Sequence, residues 1–157
     1  MLPTKTRRGL EQRQRIVVMV GLPGAGKSTW LERQGIVGIS SDRIRQVLTD
    51  DATDQTIHAR VFLTMRYLLR HRLAIGRPVS YMDATHLTPA ERQPYIAIAR
   101  AYGCDAEALY FDVPLEVCRE RNAQRERMVP AEALERMAAK LAPPEMAEGF
   151  ARITVMR

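Results

Sequence analysis

The segment Ile16–Val20 runs without a break into Gly21-Leu22-Pro23-Gly24-Ala25-Gly26-Lys27-Ser28-Thr29, and this junction constrains the fold more than any other feature. Ile16–Val20 is apolar and rich in valine, which suits a buried strand. Glycines admit positive φ and so turn successive backbone N–H groups inward, while Lys-Ser-Thr opens a helix whose start adds a positive dipole. Strand, glycine turn and helix together make a cradle for phosphate, with Gly21, Gly24, Ala25, Gly26, Lys27, Ser28 and Thr29 around the anion. In such a loop the lysine reaches the β- and γ-phosphates of a nucleoside triphosphate, and the serine hydroxyl takes a Mg²⁺ position. ATP or another NTP, with Mg²⁺, is therefore the expected ligand pair.

Beyond the loop, strand-like and helix-like stretches alternate. Lys27–Gln34 reads as a helix that offers Trp30 and Leu31 to the core, and Ile36–Ile39 as a short buried strand ending at Ser40-Ser41-Asp42, which suits a helix start. From Asp54 to about Ile75 the residues Ile57, Val61, Met65, Leu68 and Leu69 recur at helical intervals. Gly76 and Pro78 stop that helix before a strand at Val79–Met82. Thr88-Pro89-Ala90-Glu91 is a capping box with proline at the first helical position, and predicts a helix to about Tyr102. A strand at Ala106–Phe111, helices from Pro114 to Gln124 and from Pro130 to Lys140, and a last strand at Ile153–Met156 complete the pattern. The expected fold is α/β, a P-loop NTPase with a central parallel sheet flanked by helices on both faces and a helical, arginine-bearing lid. Strand ends then gather the glycine loop, Ser40–Asp42 and Asp83 at one edge of the sheet.

A chain of 157 residues fits one domain, expected over 16–157, behind a basic and flexible arm over 1–15. The formal charge of +6 points to a polyanionic partner or to simple solvation. Two cysteines, Cys104 and Cys118, form no disulfide framework and no metal spacing, so buried thiols in a reducing cytoplasm are expected. No apolar run is long enough for a membrane span and no signal-peptide pattern is present, so no membrane partner is expected. Oligomeric state is not readable.

Four groups carry chemistry. Asp42 and Arg45, three apart, share a helix face; the carboxylate suits a general base and the arginine an anion clamp, or the two are a cap and its partner on a surface turn. Asp83 ends a strand beside the loop, where it can hold Mg²⁺ with Ser28 or only its waters. His86 either touches substrate or serves the structure. Arg121 and Arg125, one turn apart, suit a lid that neutralises transferring phosphate, whereas Arg119 and Arg127, beside Glu120 and Glu126, read as solvated pairs. Gln55 either hydrogen-bonds an acceptor or merely opens the long helix.

The set GLPGAGKST, ISSDRIR, DDATDQ, YMDATHLTPAER and CRERNAQRERMVP resembles the kinase domain of bacterial and phage polynucleotide kinases, the 5′-OH end-healing enzymes, from Ile16 to about Phe150. The resemblance implies transfer of the ATP γ-phosphate to the 5′-hydroxyl of RNA or DNA. It makes Lys27 and Ser28 the loop lysine and Mg²⁺ serine, Asp42 the general base, Arg45 the grip on the acceptor's 3′-phosphate, Arg121 and Arg125 the lid arginines and Gln55 an acceptor contact. His86 departs from the family's asparagine. The chain carries no phosphatase or ligase module, so the implied pathway needs separate partner proteins or a longer parent chain. A small-molecule kinase for a sugar, antibiotic or other metabolite is the alternative reading of the same scaffold.

Overall fold

Alternate residues of the first strand, β1 (Arg15–Val20), face opposite ways, and every residue from Ile16 to Val20 is buried. Ile16, Val18 and Val20 join one apolar cluster, Val17 and Met19 another, so β1 is a central strand covered on both faces. The computed structural model describes residues 13–126 and 128–157. Within them one wholly parallel sheet has the order β2-β3-β1-β4-β5, with β2 (Ile39–Ser40), β3 (Val79–Asp83), β4 (Asp105–Phe111) and β5 (Arg152–Met156). Connections are filled by α1 (Lys27–Arg33), α2 (Ser41–Thr49), α3 (His58–Ala74), α4 (Pro89–Tyr102), α5 (Leu115–Ala123) and α6 (Ala131–Lys140), with a 3-10 turn at Met146–Glu148 before β5. Helices α2, α3 and α4 cover the Ile16–Val18–Val20 face, and α1, α5 and α6 cover the other. This is the P-loop NTPase fold that the strand and helix pattern predicts.

Local chemistry sets the helix starts. The Ser40 hydroxyl accepts the Arg43 N–H at 3.3 Å and begins α2 one residue after the sheet, with Ser40 opposite Asp83 across β3. Thr88 caps α4 by accepting the Glu91 N–H, and Pro89 follows it, but the returning Glu91 carboxylate takes the Leu87 N–H at 2.8 Å in place of the expected Thr88 N–H.

Two boundaries differ from the sequence reading. The expected strand Ile36–Ile39 shrinks to Ile39–Ser40, because Gly35 (φ 67°) and Ile36 turn their N–H groups back to Glu32 and Leu31 and close α1. The long helix begins at His58, not Asp54: the Asp51 and Asp54 carboxylates each bind the N–H and hydroxyl of a threonine two residues on, Thr53 and Thr56, and hold this stretch in turns. The buried stripe of α3 is Val61, Met65, Leu69 and Leu73, a strict four-residue step, while Leu68 is exposed. Trp30 is half-buried, its ring against Tyr81 and Phe111. Residues 1–12 of the expected arm and Arg127 of the expected lid lie outside the described residues. The described end of that arm is tied to the fold, since Gln14 donates to the carbonyls of Leu73 and Arg77 and Arg15 opens β1.

One buried ion pair locks the C-terminal crossover to α4. Arg92 is wholly buried; its Nε and Nη2 donate to the Glu148 carboxylate at 2.8 and 3.0 Å, and its Nη1 donates to the His86 carbonyl at 2.8 Å. Removing one partner leaves the other charge buried and alone, so Glu148→Ala should cost about 3–5 kcal/mol, read as a lower urea midpoint at unchanged slope. Burial pushes the Glu148 carboxyl up, but the Arg92 bonds and the Glu145 N–H outweigh it and hold it below the usual glutamate value. A depressed folded value means this contribution is complete above the unfolded glutamate pKa and fades as pH falls through the folded one, a loss absent from Glu148→Ala.

Candidate active site

Between the end of β1 at Val20 and the start of α1 at Lys27 the chain makes its glycine-rich turn. Gly24 (φ 84°) and Gly26 (φ 100°) occupy the left-handed region that side chains avoid. A Cβ at Gly24 would also meet the Cys118 carbonyl oxygen at 2.7 Å, so α5 presses directly on the loop. Gly26 caps α1, and Lys27 follows it into a buried position where Nζ donates to the carbonyls of Gly21 and Leu22 at 2.7 and 2.8 Å. Burial pulls the Lys27 ammonium down to about 8; the charge of Asp83 opposes this most, that of Asp42 least, and Arg125 adds to the depression. The lysine is thus a confined cation resting on carbonyls that an incoming phosphate can replace. Ala25 is buried, and Ser28 and Thr29 are exposed at the helix start.

Asp83, at the end of β3, accepts the Ser28 hydroxyl at 3.2 Å. Burial pushes its carboxyl up, while Lys27 and the Ser28 bond pull it down. One hydroxyl and one carboxylate side by side are hard oxygen donors, the kind of partial set that Mg²⁺ takes when phosphates and water supply the rest. Among the described residues no group of three or more His, Cys, Asp or Glu forms a cage by itself.

Asp42 and Arg45 lie on α2, immediately after β2, as their spacing predicts. Arg45 Nη1 donates to Asp42 Oδ1 at 3.2 Å, and the two differ sharply in exposure, the side chains being 7% and 64% exposed. The carboxylate therefore stands in solvent at the sheet edge while the guanidinium lies beneath it. Ser40 lies opposite Asp83 in the sheet and Asp83 binds Ser28 of the loop helix, so the α2 start stands beside the phosphate loop.

The arginines come from the other side. Arg121, near the end of α5, donates from Nη1 to the Gly24 carbonyl at 3.3 Å, and Arg125, in the turn beyond, acts electrostatically on Lys27. Both are exposed. Arg119 pairs with Glu135 of α6 and not with its neighbour Glu120. Gln55 lies on the exposed turn before α3, its Nε2 bonded to the Thr53 carbonyl at 3.4 Å, and no contact joins it to Asp42 or Lys27.

His86 serves the interior. Its Nδ1–H donates to the Met19 carbonyl at 2.6 Å, its Nε2 accepts from the Tyr95 hydroxyl at 3.0 Å, and burial lowers its pKa to about 4, so the ring is neutral at any ordinary pH. It fixes the stretch after β3 behind the site. Two positioning residues escaped the sequence reading. Asn122 donates to the Val129 carbonyl and accepts the Val129 N–H, at 2.7 and 3.0 Å, pinning the ends of the turn that carries Arg125. His58 accepts from Arg45 Nη2 at 3.3 Å. An asparagine eight places before a helix-opening proline was the one available signal for the first; the second had none.

Known proteins share this frame. Human (Homo sapiens) L-seryl-tRNA(Sec) kinase is 34% identical over 79 residues, 50% of this chain and 22% of that protein. A chain of the Pnkp1/Rnl/Hen1 complex has the same fold at a TM-score of 0.61 and 20% identity, the match covering 80% of this chain and 44% of that one. A gluconokinase from Sinorhizobium meliloti 1021 matches at a TM-score of 0.58 and 19% identity over 92% of this chain and 82% of its own. The chain therefore spans less than a quarter of the curated relative and under half of the Pnkp1/Rnl/Hen1 chain. The family model described as "AAA domain" matches residues 16–144, from the first strand through the last helix, and on that match the chain belongs to the AAA domain family of P-loop proteins.

Proposed function

We propose that this chain is an ATP-dependent P-loop kinase that phosphorylates the 5′-hydroxyl end of RNA or DNA. The observation that carries this reading is the Asp42–Arg45 pair: a solvent-facing carboxylate beside the phosphate loop, with a buried guanidinium beneath it whose hydrogen bonds go to Asp42 and His58. An alcohol that carries its own anion fits such a pair better than a neutral metabolite does. Asp42 takes the proton of the acceptor hydroxyl as its oxygen attacks the γ-phosphorus; that P–O bond forms while the bond to the β-phosphate oxygen breaks, and ADP leaves. Lys27, Arg121 and Arg125 hold the donor phosphates and the charge that spreads over the γ-oxygens. Ser28 and Asp83 would hold Mg²⁺, which when bound screens the charge of the β- and γ-oxygens. Arg45 would bind the phosphate on the 3′ side of the acceptor nucleotide. Gln55 would reach an acceptor only if its turn moved, which makes it the weakest member of the set. Separate phosphatase or ligase proteins would complete end repair, and the occurrence of a fold neighbour within the Pnkp1/Rnl/Hen1 complex is in keeping with such an arrangement.

The test is transfer of label from γ-labelled ATP with Mg²⁺ to 5′-OH RNA, 5′-OH DNA, a nucleoside 3′-phosphate, a nucleoside and gluconate. Label on the oligonucleotides and the 3′-phosphate, far above the bare nucleoside, supports the reading. Transfer to gluconate or another sugar, with none to nucleic acid, would replace it with the small-molecule alternative.

The buried lysine sets a pH dependence for the nucleotide itself. Its cationic form is what phosphate binds, and in the free protein that form is lost above about pH 8. ATP affinity should fall by about twofold from pH 7 to 8 and by more than about tenfold between pH 8 and 9.5, while Lys27→Arg, charged throughout, should bind less well but without that slope. Titration calorimetry across this range gives the comparison.

A further inference from the structure

Helix α3 carries Arg60, Arg66, Arg70 and Arg72 and no carboxylate, and the one carboxylate of α4, Glu91, sits in its first turn. Arg72 is bound to the Val79 carbonyl and the Ser80 hydroxyl, but among the described residues no ion pair engages Arg60, Arg66 or Arg70. Each of the two helices returns the chain from the end of one parallel strand to the start of the next, so α3 and α4 run side by side in one direction. On α4, Pro94, Ala97 and Ala101 recur at steps of three and four and share a face. All three are short, and the furrow between the helices stays open. It measures about 330 Å³, with Arg66 and Arg70 along the α3 side, the three small residues along the α4 side, and Tyr102, 43% exposed, at the α4 end. Arg66 and Arg70 are one turn apart, about 6 Å along the axis, a step comparable with that between successive phosphates of an extended strand.

We propose that the α3–α4 furrow holds the single-stranded continuation of a nucleic-acid acceptor, with Arg66 and Arg70 each on a backbone phosphate and Tyr102 stacked on a base. Charge decides the class of occupant. Two guanidiniums with no carboxylate to offset them repel a basic segment, leave an apolar one to bury unpaired cations, and match a polyanion. The space between two packed helices, whose axes stand about 8–10 Å apart, seats one strand and not a duplex. An exposed tyrosine beside the arginines adds the flat face on which an unpaired base of any identity can lie. Position supports the same occupant: α3 starts at His58, which accepts from Arg45 beside Asp42, and Arg66 and Arg70 follow about 12 and 18 Å further along that helix. A strand whose 5′ end lies at Asp42 therefore reaches the furrow with nucleotides on its 3′ side, beyond the one that Arg45 would hold. The furrow lengthens the contact with the acceptor and leaves the transferring atoms alone.

The inference rests on the acceptor reading above, and its test separates the two. Binding and phosphate transfer are measured for a 5′-OH dinucleotide and a 5′-OH single-stranded dodecamer, as RNA and as DNA, over a range of salt. The wild type should bind the dodecamer at least about tenfold more tightly than the dinucleotide. Arg66→Gln with Arg70→Gln should remove that gain, make the slope of log K against log salt shallower by about 1.4, the value for two single-strand phosphates, and leave kcat/KM for the dinucleotide unchanged. Tyr102→Ala should weaken the dodecamer by about fivefold or more with the salt slope unaltered, since stacking releases no counterions. A dodecamer bound no better than the dinucleotide, a preference that survives in the double variant, or equal losses on both lengths overturns the furrow while the kinase reading stands on the labelled ends. A wild-type dimer in sedimentation that the double variant dissociates assigns the furrow to a second copy of the chain and also overturns it. A length preference that the double variant abolishes, with no label transferred to any end, supports the furrow and overturns the proposed reaction.

Discussion

Asp42→Asn should lower kcat for transfer to a 5′-hydroxyl by about 10²–10⁴-fold, the usual weight of a positioned general base. Asparagine keeps the shape and an oxygen for Arg45 to bind, so the loss isolates proton acceptance from geometry. The substitution lies outside the glycine loop, and nucleotide affinity should change by less than about threefold. Because the missing interaction belongs to the transition state, kcat and kcat/KM for the acceptor should fall together. A bare nucleotide-binding module or ATPase on the same scaffold would tolerate the change. Nucleotide-exchange fluorescence and single-turnover transfer, run on the same preparation, provide the two readouts.

The arginines proposed to act on the donor phosphates, Arg121 and Arg125, should matter almost as much. Arg121→Ala with Arg125→Ala is expected to reduce kcat by about 10³-fold, at the low end for arginines that neutralise a transferring phosphoryl group, and to raise KM for ATP only modestly. Arg121 already touches the loop through the Gly24 carbonyl, whereas Arg125 reaches Lys27 only through its field, so the single Arg121 variant should be the more damaged in nucleotide binding and Arg125 the more selectively damaged in turnover. Arg121→Lys should not restore the rate, since a point charge replaces a planar fork. Equal loss in both kcat and ATP affinity for every variant would assign these residues to simple nucleotide binding.

The parts of this molecule that depend on near neighbours were readable from the chain. The Ile16–Val20 strand, the glycine turn, the Thr88–Pro89 helix start and the Asp42–Arg45 spacing are all local, and the structure has each of them. The boundaries that moved were decided by competing local bonds of similar strength: Gly35 could end a helix or precede a strand, and the Asp51 and Asp54 turns interrupt an otherwise helical period. Features joined across the chain left no mark. Arg92 and Glu148 are 56 residues apart, and neither sits in a pattern that announces a buried pair. From the chain Arg45 reads as an anion clamp or as Asp42's partner on a surface turn; its burial, which no local pattern announces, comes from α3 lying against α2 and placing His58 beside it.

All of this turns on the carboxylate of α2 facing the donor phosphate across a space that an alcohol fills. The most direct measurement is a crystal structure of the protein with a non-hydrolysable ATP analogue, Mg²⁺ and a 5′-OH dinucleotide. The account predicts the acceptor 5′-oxygen within about 2.6–3.2 Å of an Asp42 oxygen and about 3–3.5 Å from the γ-phosphorus, in line with the bond to be broken. Asp42 turned to solvent, with the dinucleotide bound elsewhere or with its 5′-oxygen approaching a different base, would contradict it.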